Sequence, residues 1–327
     1  MIPDFAKENI DLAQPRLGSK VVYATDDFFA DKARLISPEA PVFIEGKYDD
    51  NGKWMDGWES RRKRVPGHDH CIIRLGRPGV ISGFLIDTAH FTGNYPPFAS
   101  LEACISDAEI PGEDDWRELM PKMALNGDSQ YYVAVEAPDT FTHVRLHIYP
   151  DGGVARLRVY GTIHKDWTQV SAGTLINLAA LEEGARPIGC NDQHFGTPEN
   201  MLAPGKGINM GDGWETRRRR EPGHDWAVIA LAHPGVIEKA VIDTAFFKGN
   251  YPDQAFLQAA LITGKTDEQV LAEAESWPVL LSEQKLAADT VHEFTDALAA
   301  IGPVSHVRLN IIPDGGVSRL RLWGQLA

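Results

Sequence analysis

The chain has 327 residues, 43% hydrophobic and 24% charged, with a formal net charge of -14. That length suits two domains of ordinary size, each with enough chain for a core. The acidic balance excludes the basic footprint that nucleic acid or an anionic membrane needs, and no apolar run approaches the roughly 20 residues of a membrane span.

At the N-terminus, Met-Ile-Pro-Asp-Phe-Ala-Lys-Glu lacks the basic flank and apolar stretch of a signal peptide, so the expected location is the cytoplasm. The first block of note runs Asp56-Gly-Trp-Glu-Ser-Arg-Arg-Lys-Arg-Val-Pro-Gly-His-Asp69. Strands are predicted after it at Cys71–Leu75 and Val80–Asp87, the latter opening a second block, Ile86-Asp-Thr-Ala-His-Phe-Thr-Gly-Asn-Tyr-Pro96. Another strand is expected at Leu101–Ser106. Val144, Leu146 and Ile148 then alternate with His143, Arg145, His147 and Tyr149, and Ala155, Leu157 and Val159 alternate with Arg156, Arg158 and Tyr160. Between these runs sits Pro150-Asp-Gly-Gly153, a turn sequence, so the segment reads as a β-hairpin.

The same order then returns. Asp212–Asp225 repeats the first block with 11 of 14 positions identical at an offset of 156. Ile242–Pro252 repeats the second, and His306–Gly324 repeats the hairpin at an offset of 163, which places an insertion between them. Ile10–Ala13 matches Ile176–Ala179. One domain has been duplicated, with a first repeat expected over residues 1–165, a linker over 166–173 and a second repeat over 174–327. Further strands are predicted at Ala227–Leu231, Val236–Asp243 and Leu257–Ile262, with short helices at Leu178–Ala185 and Thr266–Glu275. Short strands between Gly/Pro turns predict an all-β fold of two repeated jelly-roll-like β-sandwich domains with a few short helices. Cys71, Cys104 and Cys190 have no mirrored cysteines in the opposite repeat, so they read as reduced thiols.

The three blocks together resemble the allantoicase family, across nearly the whole chain and in both repeats. The resemblance implies a hydrolase of allantoin and purine catabolism, converting allantoate and water to ureidoglycolate and urea, that assembles into a homo-oligomer. Allantoate is then the small-molecule partner. Its carboxylate suits arginine, whose planar guanidinium makes two parallel hydrogen bonds. Arg61, Arg62, Arg145, Arg156 and their counterparts Arg217, Arg218, Arg308 and Arg319 are the candidates. On the polar face of the expected hairpin Arg145 and Arg156 would be neighbours and need an anion. Either internal carboxylates such as Glu59, Asp69 and Asp87 supply it, or the substrate does.

The Pro-Gly-His-Asp loops offer His68 with Asp69, and His224 with Asp225, as acid–base pairs; the alternative is a His that only closes a turn. Asp87 and Asp243, at strand ends, suit a base or an acceptor for ureido N–H groups, and Asn94 and Asn250 suit a urea-like moiety, unless all four merely build turns. Trp58 and Trp214 read as core. For a metal the signal is weak: His68-Asp69-His70 becomes His224-Asp225-Trp226 in the second copy, His90 and His147 become Phe246 and Asn310, and no strong ligand spacing occurs. No cofactor is required by these residues, although a divalent metal is compatible with ureido chemistry. Two rivals stand beside the family reading, a related ureido or amidino hydrolase and a non-catalytic jelly-roll ligand-binding protein. Urea release from allantoate, allantoin and ureidoglycolate separates them.

Overall fold

A computed structural model, which describes residues 2–327, divides the chain into two compact units that meet in sequence between His164 and Lys165. The sheets of the first unit are built from β1 (Ile10–Asp11), β2 (Lys20–Ala24), β3 (Asp69–Asp87), β4 (Phe98–Cys104), β5 (Arg117–Ala124), β6 (Gln130–Ala134), β7 (Thr140–Tyr149) and β8 (Arg156–Ile163). All pairings are antiparallel. β3 spans 19 residues and serves both layers of the sandwich. Its first half pairs with β7 and β2, and β7 leads on to β4 and β5; its second half pairs with β8 and β6, and β8 leads on to β1.

The second unit repeats this plan with β9 (Ile176–Asn177), β10 (Arg186–Cys190), β11 (Asp225–Asp243), β12 (Gln254–Ala260), β13 (Val279–Lys285), β14 (Val291–Phe294), β15 (Val304–Ile312) and β16 (Arg319–Leu326). Alternate residues of these strands form the core: Cys71, Ile73, Val144, Leu146 and Ile148 are buried from one layer, Phe84, Ile86, Leu157 and Val159 from the other. Trp58 and Trp214 are fully buried, as expected. Among the described residues no helix is long and apolar enough to cross a membrane.

Four local expectations are corrected. The two strands predicted on either side of Pro78 are one. Residues 75–78 fall in a break of the β3–β7 ladder, which resumes at Gly79, so the N–H that proline lacks is not needed by the ladder there. Secondly, Leu101–Ser106 is shifted to Phe98–Cys104, with its counterpart shifted likewise to Gln254–Ala260. Thirdly, the helix expected at Leu178–Ala185 is only a 3-10 turn, Leu181–Glu183, closed by Gly184 at φ 108°. The helix expected at Thr266–Glu275 does form, at Asp267–Glu273, behind a capping box of Thr266 and Gln269. It lies in the connection between β12 and β13, residues 261–278, which is longer than its counterpart 105–116 and accounts for much of the drift in offset.

The fourth correction is the hairpin. β7 and β8 do not pair with each other, because both pair with β3, which lies between them. The Pro-Asp-Gly-Gly link is an arch from one layer to the other, and alternation in the flanking residues is satisfied equally well by either arrangement. Arg145 and Arg156 are therefore not cross-strand neighbours.

Close packing explains the glycines of that arch. A Cβ on Gly153 would lie 2.0 Å from the Phe91 ring, and one on Gly316 2.0 Å from Phe247. Gly152 and Gly315 both have φ 138°. Gly153 N–H donates to Asn94 O at 2.7 Å, and the backbone N–H of Lys63 donates to the Asp151 carboxylate at 2.7 Å. All three repeated blocks thus meet at one end of the unit. The second copy repeats the contacts through Gly316 to Asn250 O at 2.8 Å and Arg219 N–H to Asp314 at 2.8 Å.

Candidate active site

Short ladders place the first charged groups. Trp58–Glu59 pairs with Gly153–Val154, and Trp214–Glu215 with Gly316–Val317. This fixes Glu59 beside the turn carrying Asn94, whose Nδ2 donates to Glu59 Oε1 at 2.8 Å; Asn250 donates to Glu215 Oε1 at 2.5 Å. Each Glu–Asn pair faces a cavity. In the first unit it measures about 380 Å³ and is lined also by Phe29, Lys53, Met55 and His90. In the second it measures about 420 Å³ and is lined also by Phe195, Arg218, Thr216 and Asp314. Burial raises the pKa of Glu59 above the ordinary carboxyl value, against the opposing hydrogen bond from Asn94.

The arginine loops divide by role. Arg61 and Arg217 are exposed and ion-paired with Asp26 and Asp192 at 2.6 and 2.7 Å. Arg62 and Arg218 are exposed, and among the described residues neither has a hydrogen-bond or ion-pair partner. Arg218 also borders a neighbouring cavity of about 410 Å³ with Arg217, Arg219, Arg220, Asn191 and Asp225. Lys63 and Arg219 turn inward to buried Asp69 and Asp225, at 2.5 and 2.8 Å. Those carboxylates also accept from Thr25 at 2.8 Å and Asn191 at 2.9 Å.

Arg156 and Arg319 are almost wholly buried and spent on structure. Arg156 bonds the Asp56 carboxylate at 2.8 Å and the carbonyls of Glu39, Asp56 and Ala155; Arg319 bonds Asp212 at 2.6 Å and the carbonyls of Gly205, Lys206, Asp212 and Ser318. Asp87 and Asp243 hold the following turn, accepting from the N–H of Ala89 and Ala245 at 2.8 Å, and Asp87 also from Gln130.

His68 belongs to a different constellation. Its Nε2 lies 2.9 Å from His147 Nδ1, and His147 Nε2 lies 2.8 Å from Glu102, which also pairs with Arg145 at 2.7 Å. Arg145 reaches Glu113 as well, at 2.8 Å, and stacks on Trp116. Burial lowers the pKa of both histidines, helped at His68 by the charge of His147 and opposed at His147 by Glu102. Burial pushes the Glu102 carboxyl up, yet the His147 and Arg145 hydrogen bonds outweigh it and hold the pKa below the usual range. The second unit has the same geometry without the titrating links: His224 Nε2 lies 2.9 Å from Asn310 Oδ1, and Asn310 Nδ2 donates to Gln258 at 3.1 Å.

Of the residues singled out by sequence, the structure brings Asn94 to one cavity and Arg218 and Asn250 to the other. It places His68, Asp69, Asp87, His224, Asp225 and Asp243 outside the Glu–Asn cavities, with Asp225 bordering the arginine-loop cavity. In the sequence Glu59 reads only as a structural anion, and Glu215 is not singled out. The signal for them was their recurrence directly after a core tryptophan. Among the described residues, no group of three or more His, Cys, Asp or Glu side chains is arranged to hold a metal ion.

An allantoicase repeat model matches residues 10–164 and again 176–327. The chain is 58% identical to "Probable allantoicase 2" of Burkholderia pseudomallei, covering 99% of this chain and 97% of that protein. It is 56% identical to "Probable allantoicase" of Ralstonia nicotianae, covering 99% and 97%. The crystal structure of allantoicase from Saccharomyces cerevisiae superposes with a TM-score of 0.81 at 38% identity, over 98% of this chain and 94% of that one.

Proposed function

The chain belongs to the allantoicase family, and on that premise we propose that it hydrolyses allantoate to ureidoglycolate and urea at the cavities where a glutamate is hydrogen-bonded to an asparagine. The observation that carries this is the recurrence of the pair, Glu59–Asn94 and Glu215–Asn250, each facing a cavity in its unit. In the second cavity Arg218, with no internal partner, takes the substrate carboxylate in a bidentate grip. Asn250, its amide nitrogen engaged by Glu215, keeps its oxygen to accept a ureido N–H. In the first cavity the bordering cation is Lys53, since Arg62, the counterpart of Arg218, is not among its lining residues.

A half-buried glutamate suits the chemistry. In its protonated form it gives its proton to the ureido group as the central C–N bond breaks and urea leaves. As the carboxylate it then takes a proton from the water whose oxygen bonds the central carbon, and the acid is restored. General acid–base help of this kind contributes about 10² to 10⁴ in rate. The double variant Glu59→Gln/Glu215→Gln is expected to lose at least about 10² in urea release from allantoate; wild-type turnover in that variant sinks the assignment.

A second reading, favoured by the hydrogen-bonded chain from Glu102 through His147, makes His68 the acid. Two other parts of the proposal rest on the family premise, a cytoplasmic location and a homo-oligomer. The exposed apolar run Val42, Phe43 and Ile44 supports the latter, and a monomer by light scattering would remove it.

A further inference from the structure

Arg145 and Arg308 occupy the same place in their units, and each has one polar cross-strand partner. For Arg145 on β7 that partner is Glu102 on β4; for Arg308 on β15 it is Gln258 on β12. In the first unit the guanidinium is neutralised twice, by Glu102 at 2.7 Å and by Glu113 at 2.8 Å. In the second unit both are gone. Gln258 turns its amide nitrogen to the carbonyls of Glu275 at 2.7 Å and Trp277 at 3.1 Å, and its oxygen accepts from Asn310.

Arg308 is left 5% exposed, with its plane over Trp226 at 4.9 Å and its Nε buried without an acceptor. Among the described residues it has no hydrogen-bond or ion-pair partner. The charge nearest in effect is that of Glu275, on an exposed turn. Trp277, which packs with Trp226 in one apolar cluster, also has a buried indole N–H without an acceptor. A buried guanidinium without a counter-ion is costly, because burial strips its hydration and nothing replaces it.

We propose that Arg308 anchors a binding site for a small carboxylate anion, separate from the Glu–Asn cavities. The class follows from the first unit, where carboxylates occupy the equivalent positions around Arg145. The guanidinium fork fits a planar carboxylate edge-on, and Trp226 covers one of its faces. The site does not depend on the catalytic assignment.

The test is thermal unfolding of the full chain at constant ionic strength in chloride, in acetate and in ureidoglycolate. Acetate or ureidoglycolate is expected to raise Tm by roughly 2–4 °C over chloride. A larger effect of ureidoglycolate assigns the reaction product as occupant; an equal effect assigns carboxylates at large. Gln258→Glu supplies the internal carboxylate of the first unit, so it should raise Tm in chloride and abolish the response. Arg308→Gln should abolish it as well. A wild-type chain indifferent to both carboxylates overturns the proposal, as does a response that persists in Arg308→Gln. So does a loss of Tm in Glu275→Gln without any carboxylate response in the wild type, which would make Glu275 the counter-ion.

Discussion

Among the arginines of this chain, chemistry is decided by what each guanidinium meets. Arg156 is held by Asp56 and three carbonyls, so its loss breaks a buried network rather than a substrate contact. Arg156→Met is expected to cost about 3–5 kcal/mol, read from urea denaturation. Glu59 behaves in the opposite way. Burial raises its folded-state pKa above the ordinary 4.5, so the folded chain keeps this proton to higher pH than the unfolded chain does. Its contribution to stability is fully present below 4.5 and is lost as pH rises through the raised value. Glu59→Gln should therefore raise the denaturation midpoint at neutral pH while lowering activity; a variant less stable than the parent at neutral pH would contradict this. A gain in stability with a loss of turnover is the mark of a group kept for function.

At the scale of elements, the arch and its neighbours explain why three separated blocks recur together. Gly153→Ala drives a methyl into Phe91 and should cost about 1–3 kcal/mol or more, with the same result for Gly316→Ala against Phe247. Thermal unfolding would measure it. The outer face of β3, β4 and β7 gives a prediction about pH. Burial, with the charge of His147, pushes His70 down to about 4 from 6.5. The depressed value means that its contribution to stability is present above 6.5 and is lost as pH falls toward about 4. His147→Asn installs the residue that the second unit carries at this place, so the fold should tolerate it and acid destabilisation should soften. If His68 is the catalytic acid, the same variant shifts the pH profile of kcat; an unmoved profile leaves proton transfer to the glutamates.

On the scale of the whole molecule, duplication offers two glutamate sites, and single variants separate them. If both units turn over, Glu59→Gln and Glu215→Gln each retain about half the urea release and the double variant almost none. If one unit works alone, one single variant already falls by about 10². Much of this architecture was legible in sequence. Two-residue periodicity located the strands, Trp58 and Trp214 were recognisable as core, and the repeated blocks identified the family. Asn94, Arg218 and Asn250 stand out in sequence by their type and their recurrence, and they line the two cavities. That β7 and β8 do not pair is not legible in the sequence, since alternation records which face a residue takes and not which strand lies beside it.

The sequence by itself determined the repeat, the strand content and the family, because these rest on local periodicity and on identity between distant blocks. Tertiary structure alone decided which charges are spent. Arg145 and Arg308 sit in closely related strands, yet one is matched by Glu102 and the other faces Gln258, on strands more than forty residues away in the chain. Burial and long-range partners set the protonation and availability of a side chain, and neither is a property of its neighbours in sequence.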